Sequence, residues 1–179
     1  NPGRDLRLTI DRRIQYLAYR ELKAAIGEHQ AASGSVVVVD VANGEILAMV
    51  NWPSYNPNAG GTGDPALRRN RAVTDVLEPG SVIKAFTVAA GIESGHDYGV
   101  VNLTRLLTKS SNVGATKIAL QLTNDHLYDV FHRFGFGEVS GCGFPGESPG
   151  VLPAARGWGT LEKATLSYGY GLSSTPLQL

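Results

Sequence analysis

The run SVVVVDVANGEILAMV, residues 35–50, constrains the fold most. Two β-rich stretches flank Asn43-Gly44. Both central residues of a type I′ turn need positive φ, and Asn-Gly meets that demand at low cost. The run therefore predicts a hairpin closed by a type I′ turn at Asn43-Gly44. Val37 to Val39 are apolar on both faces, which predicts a strand covered on both sides, or on one side by a helix.

Around the hairpin the apolar period changes to that of a helix. Ile14, Leu17, Ala18, Leu22, Ala25 and Ile26 recur every three or four residues, which predicts an amphipathic helix over 12–27 with Asp11 as its N-cap. Residues 51–70 are dense in Pro, Gly and Asn and read as loop. A second helix is expected from near Ser81 to about Ser94, with Val82, Phe86, Val88, Ala89 and Ile92 as its apolar positions. Helical patterns follow at about 113–122 and 125–134, then Gly/Pro-rich loop over 135–158 and a short helix from Leu161. The pattern predicts an α+β fold, with helices packed on an antiparallel sheet. Two strands are too few for a stable sheet, so further strands are expected beyond Leu179. Thr175 before Pro176 reads as an N-cap and first helical position, so a helix is expected to continue past Leu179 and the chain to be part of a longer one.

Composition narrows the function classes. Sixteen basic and sixteen acidic side chains cancel. A balanced charge gives no footprint for nucleic acid or for an anionic membrane surface. Glycine fills 22 of 179 positions, about 12% against an average of about 7%, so turns and close backbone approaches are frequent. The single cysteine, Cys142, lies in the loop SGCGFPG and reads as a small loop residue. No segment carries about 18 consecutive apolar residues, and no signal peptide opens the chain. A soluble piece is expected, with a membrane anchor upstream allowed.

Candidate chemistry centres on LEPGSVIKAF, residues 77–86. A spacing of three puts Ser81 and Lys84 on one helical face. A helix start favours a neutral amine over an ammonium there, so Lys84 could take the proton of Ser81. The Ser81 N–H could also donate to an oxyanion formed at the attacked carbonyl. An ordinary capped helix start with a surface lysine fits the same spacing. The apolar residues after Lys84 favour burial, and an unpaired buried lysine is costly, which weighs toward function. A second cluster, Ser110, Ser111 and Asn112, precedes a helical run. It reads as capping, or as a proton-relay hydroxyl (Ser110) beside a substrate-binding amide (Asn112). His29, His96, His126 and His132 show no metal-ligand spacing and read as structural or surface residues. No cofactor or metal is expected.

EPGSVIKAF followed by KSSNVG resembles the S-x-x-K and S-x-N motifs of the penicillin-binding proteins. LTIDRRIQ, RNRAVTDVLEPGS, FGFGEVSGCGFPGE and ATLSYGYGLSSTPLQL resemble the same family, so the likeness covers most of the chain. RRIQYLAYRELKAA and AMVNWPSYNP resemble its class B, division-specific branch in Gram-negative bacteria, the penicillin-binding protein 3 type. The resemblance implies the penicillin-binding transpeptidase fold shared with serine β-lactamases. It implies Ser81 as acylated nucleophile, Lys84 as general base, Ser110 as proton relay and Asn112 as ligand of the acyl amide. The implied substrate is the D-Ala-D-Ala end of peptidoglycan stem peptides, with β-lactams acylating the same serine. Implied partners are a septal glycosyltransferase and other division proteins. The implied location is the periplasmic face of the inner membrane, anchored by an N-terminal transmembrane helix not present in this chain.

Two departures from the family pattern stand out. Its third motif, Lys-Ser/Thr-Gly on a sheet strand, is absent, so residues 1–179 are expected to be a partial transpeptidase domain, inactive alone. GIESGHDYGV also joins abruptly, so a gap or deletion is expected near 95–96. A non-catalytic β-lactam sensor domain would share S-x-x-K, but the NPGRDLRLTIDRRIQ opening resembles the linker of the biosynthetic enzymes. A hydrolytic β-lactamase would need a deacylating base, and no E-x-x-x-N-type loop is evident.

Overall fold

Asp11 starts the first helix by accepting hydrogen bonds from the Arg13 and Ile14 N–H groups. In the computed structural model, which describes residues 3–58, 64–97 and 102–179, this helix, α1, runs from Arg12 to His29. That is two residues longer than its apolar pattern, because Gln30 caps it in the left-handed conformation and returns its N–H to Ile26. The chain forms two compact units, Asn1–Asp75 and Val76–Leu179.

In the first unit α1 covers one face of the hairpin. Strands β1 (Gly34–Val39) and β2 (Ile46–Trp52) pair antiparallel, with Val36 opposite Val50 and Val38 opposite Ala48. A Cβ on Gly34 would lie 3.0 Å from side-chain atoms of both Leu22 and Ile26, so the helix sits directly on β1 there. Tyr19 packs edge-on against Trp52, and the Lys23 ammonium lies 5.2 Å from the Trp52 ring centroid. Gln15 donates to the Met49 carbonyl and accepts from the Met49 N–H, so an amide side chain satisfies the outer backbone edge of β2. Of the expected stripe, Leu22 is buried, while Leu17 and Ala25 remain exposed.

The turn is not type I′. Of its two expected central residues only Gly44 has positive φ (77°). Asp40 holds a wider loop instead: its side chain accepts from Ala42 N–H and its carbonyl from Gly44 N–H. Glu45 N–H donates to the Asn43 side chain, and the strand register slips between Val38 and Val39. Local Asx bonds therefore decide the turn geometry. The expected loop over 51–70 contains a 3-10 turn at Pro65–Arg68 and is followed by a one-turn helix, α2 (Arg71–Thr74). Residues 59–63 of that loop lie outside the described residues, as do 98–101 beside the expected junction.

The second unit is helical. A 3-10 turn at Gly80–Ile83 leads into α3 (Lys84–Glu93), followed by α4 (Leu103–Thr108), α5 (Asn112–Gln121), α6 (Asn124–Arg133) and α7 (Thr160–Leu166). Ser111 and Thr123 cap α5 and α6 with their hydroxyls. Ile83, Val88, Ile118, Leu127, Phe131, Phe136 and Leu166 form the centre of one apolar core. Phe86 joins it edge-on to Phe134 and Phe136, with centroids 4.9 and 5.0 Å away. The buried face of the second helix differs from its apolar pattern. Val82 and Ile92 are exposed, while Lys84 and Thr87 are buried. The 3-10 entry has three residues per turn, so it rotates the start of the helix relative to an α-helix begun at Ser81.

At the end of the chain Thr175 N–H donates to the Gln178 side chain, and Gln178 N–H to the Thr175 hydroxyl. The expected cap therefore forms as a reciprocal box around a turn. His126 donates to the Ala90 carbonyl, His132 pairs with Glu138, and Cys142 is exposed. No helix among the described residues is long and apolar enough to cross a membrane.

Candidate active site

Gly80 (φ 56°) lets the chain turn sharply out of Pro79 into the 3-10 turn. In a 3-10 turn residues i and i+3 eclipse, so Ser81 and Lys84 lie in line. The Lys84 ammonium nitrogen is 2.9 Å from the Ser81 hydroxyl oxygen. Ser81 is exposed, but Lys84 is only 2% exposed, and its burial pushes the amine pKa below the ordinary lysine value. Lys84 forms no ion pair among the described residues.

Ser110 is brought in by the end of α4. Its N–H donates to Leu107, and the following Ser111 N–H donates back to Leu106. These two bonds make a Schellman motif, whose left-handed position normally falls to glycine. Ser110 occupies that position with φ 49°. The result aims two oxygens of one residue at one nitrogen: Lys84 Nζ lies 2.8 Å from Ser110 Oγ and 2.7 Å from its carbonyl oxygen. A non-glycine residue held at positive φ is backbone strain of the kind that clusters at functional sites.

The three neighbours of Nζ fit both charge states. An ammonium donates to all three oxygens. A neutral amine donates to the two oxygens of Ser110 and accepts the Ser81 proton. The arrangement is therefore competent to shuttle a proton between two hydroxyls without moving a heavy atom.

The structure thus brings Ser81, Lys84 and Ser110 together within hydrogen-bond reach. Asn112 opens α5 immediately after the cap Ser111, is exposed, and takes no part in the Lys84 hydrogen bonds among the described residues. Glu78, Gly150 and Gly169, to which no motif assigns a role, also shape the approach to Ser81. Their signal was the glycine density of SYGYGL and SPGV, which marks close backbone contact without naming the partner.

A family model described as the penicillin-binding protein transpeptidase domain matches residues 34–99 and 96–179. The chain is 42% identical over 200 aligned residues to the probable peptidoglycan D,D-transpeptidase PenA of Neisseria flavescens, covering 99% of this chain and 50% of that protein. It is 44% identical over 199 residues to the peptidoglycan D,D-transpeptidase FtsI of Escherichia coli K12, covering 98% of this chain and 34% of that protein. The chain spans half or less of the length of these relatives. Among solved structures, the transpeptidase domain of Burkholderia pseudomallei penicillin-binding protein 3 superposes with a TM-score of 0.83 at 34% identity, covering 99% of this chain and 57% of that one. A Burkholderia ambifaria protein described as a peptidoglycan glycosyltransferase superposes with a TM-score of 0.84 at 36% identity, covering 96% of this chain and 58% of that one. With its fold, its paired motifs and its similarity running along almost the whole length, the chain belongs to the penicillin-binding protein transpeptidase family.

Proposed function

We propose that this chain is the nucleophile-bearing part of a peptidoglycan D,D-transpeptidase acting in septal wall synthesis. The observation that carries the reading is Lys84, buried and hydrogen-bonded to the hydroxyls of both Ser81 and Ser110. Neutral Lys84 takes the Ser81 proton as Oγ attacks the carbonyl between two D-alanines of a stem peptide. The C–O bond forms, the tetrahedral oxyanion collapses, and the C–N bond to the terminal D-alanine breaks. The proton passes from Lys84 through Ser110 to the leaving amine. An amine of a neighbouring stem peptide then attacks the acyl-enzyme and returns Ser81 to its free form. Asn112 binds the acyl amide. A β-lactam enters by the same first step, with its ring amide as the bond that breaks.

On this reading residues 1–179 are part of a larger transpeptidase domain whose Lys-Ser/Thr-Gly strand lies outside the sequence, with a gap or a deletion near 95–96. The whole protein is anchored at the periplasmic face of the inner membrane and works with a septal glycosyltransferase and other division proteins. Relatives named D,D-transpeptidases support the activity. Labelled penicillin tests it in the full-length protein: a covalent adduct at Ser81 is expected, and an intact Ser81→Ala variant that still labels would overturn it.

A further inference from the structure

Four hydrogen bonds tie the approach to Ser81, residues 77–80, to the segment 169–174. Leu77 and Ser174 exchange backbone bonds in both directions, each 3.0 Å. Gly80 N–H donates to the Gly169 carbonyl (3.1 Å). Gly171 N–H donates to the Glu78 carboxylate (3.0 Å). No side chain separates the two segments: a Cβ on Gly169 (φ 94°) would lie 1.9 Å from the Gly80 carbonyl oxygen. The segment is backed from its other side. Val151 and Ser173 exchange backbone bonds of 2.8 and 2.9 Å, and a Cβ on Gly150 would lie 2.2 Å from the Ser173 oxygen.

This strap acts on a flexible point. Gly80 has no side chain and a left-handed φ, so nothing in its own chemistry fixes the direction in which Ser81 leaves it. The strap fixes Gly80 on one side, and the Lys84 hydrogen bond meets Ser81 on the other. Of the four bonds, only the Glu78 bond is made by a side chain. Glu78 and Gly171 are both exposed and Glu78 forms no ion pair among the described residues, so water can replace the carboxylate at the Gly171 N–H and the bond contributes little net to folding. Its contribution is orientation.

We propose that Glu78 is a positioning residue for acylation: through Gly171 it locks the strap onto the nucleophile turn and holds Ser81 Oγ in line with Lys84 Nζ. This rests on Ser81 being the nucleophile. Misplacing a reacting atom by about 1 Å costs up to about 100-fold in rate, and loss of one of four restraints is expected to cost about tenfold.

The test is the concentration dependence of acylation by labelled penicillin in the full-length protein, with Tm measured on each variant. Glu78→Ala should lower the maximal acylation rate about tenfold with an unchanged half-saturating concentration and unchanged Tm. Glu78→Gln keeps an oxygen that accepts from Gly171 N–H and should recover to within about twofold of the parent. Glu78→Ala acylating at the parent rate would overturn the proposal, as would a Gln variant no faster than the Ala variant, or a loss that follows Tm. A parent protein that never labels at Ser81 would remove the nucleophile reading and this proposal together. A labelled parent with an unaffected Glu78→Ala removes the positioning role alone.

Discussion

Lys84 meets both the hydroxyl and the carbonyl oxygen of Ser110, at 2.8 and 2.7 Å, because Ser110 holds a left-handed backbone at the end of α4. The Lys84 amine is therefore oriented by a residue 26 positions away as well as by its own helix. One consequence concerns the strain. Replacing Ser110 by Gly relieves it, and replacing it by Ala keeps it, while both remove the hydroxyl. The Gly variant should be more stable than the Ala variant by about 1 kcal/mol. Both should acylate about 100-fold more slowly or worse. Urea unfolding and penicillin labelling would separate the two effects; an Ala variant as stable as the Gly variant would contradict the strain account.

A pH dependence follows from the burial of Lys84. Its ammonium loses its proton below the ordinary lysine pKa. The rate of acylation should rise with pH through a midpoint below that value. Lys84→Arg keeps a cation that stays protonated to about pH 12, and should lose the acylation across the accessible range. A midpoint at or above the ordinary lysine value would rule out a desolvated base.

Lys163 offers the same physics without the chemistry. It is buried, its pKa is lowered by burial, and its ammonium donates to the Leu122 carbonyl. Between the lowered pKa and the ordinary one, the unfolded chain binds the proton and the folded chain does not. Stability from this group therefore rises with pH across that window and levels off above the ordinary pKa. Lys163→Met should flatten that rise in thermal melts recorded at a series of pH values. A slope identical to the parent would show that Lys163 titrates alike in both states.

Gly169 has no room for a methyl group. Gly169→Ala should cost more than about 2 kcal/mol, since the clash is with Gly80 backbone and the residue holds a positive φ. Equilibrium unfolding of the full-length protein reads this directly. A variant of parent stability would mean that the strap yields at no cost.

In the first unit, Gln15 makes both of its hydrogen bonds to the backbone of Met49. Gln15→Ala should cost about 1–3 kcal/mol by leaving that N–H and carbonyl without their partner. The midpoint of urea unfolding measures it, and no change would show that water replaces the amide fully.

Local information in the sequence determined a good deal. Asp11, Ser111 and Thr123 are short polar residues ahead of apolar periods, and each caps its helix as such residues do. The two β-rich runs pair antiparallel. A spacing of three on a helix start was enough to put Ser81 beside Lys84. The hairpin loop is local as well: Asp40 widens it by accepting from Ala42 and Gly44, two and four residues on. What the tertiary structure decided rests on contacts that no local pattern encodes. The 3-10 entry turned Val82 outward and Lys84 inward, so the charged residue and not the apolar one became buried. Ser110 read as a cap or as a proton-relay hydroxyl, with nothing local to mark its backbone. Only the packing of α4 against α3 showed it in a glycine's conformation, with two oxygens on one amine. The glycines of SYGYGL announced a close approach, but its partner, the turn before Ser81, lies about ninety residues earlier, and only folding brings the two backbones together.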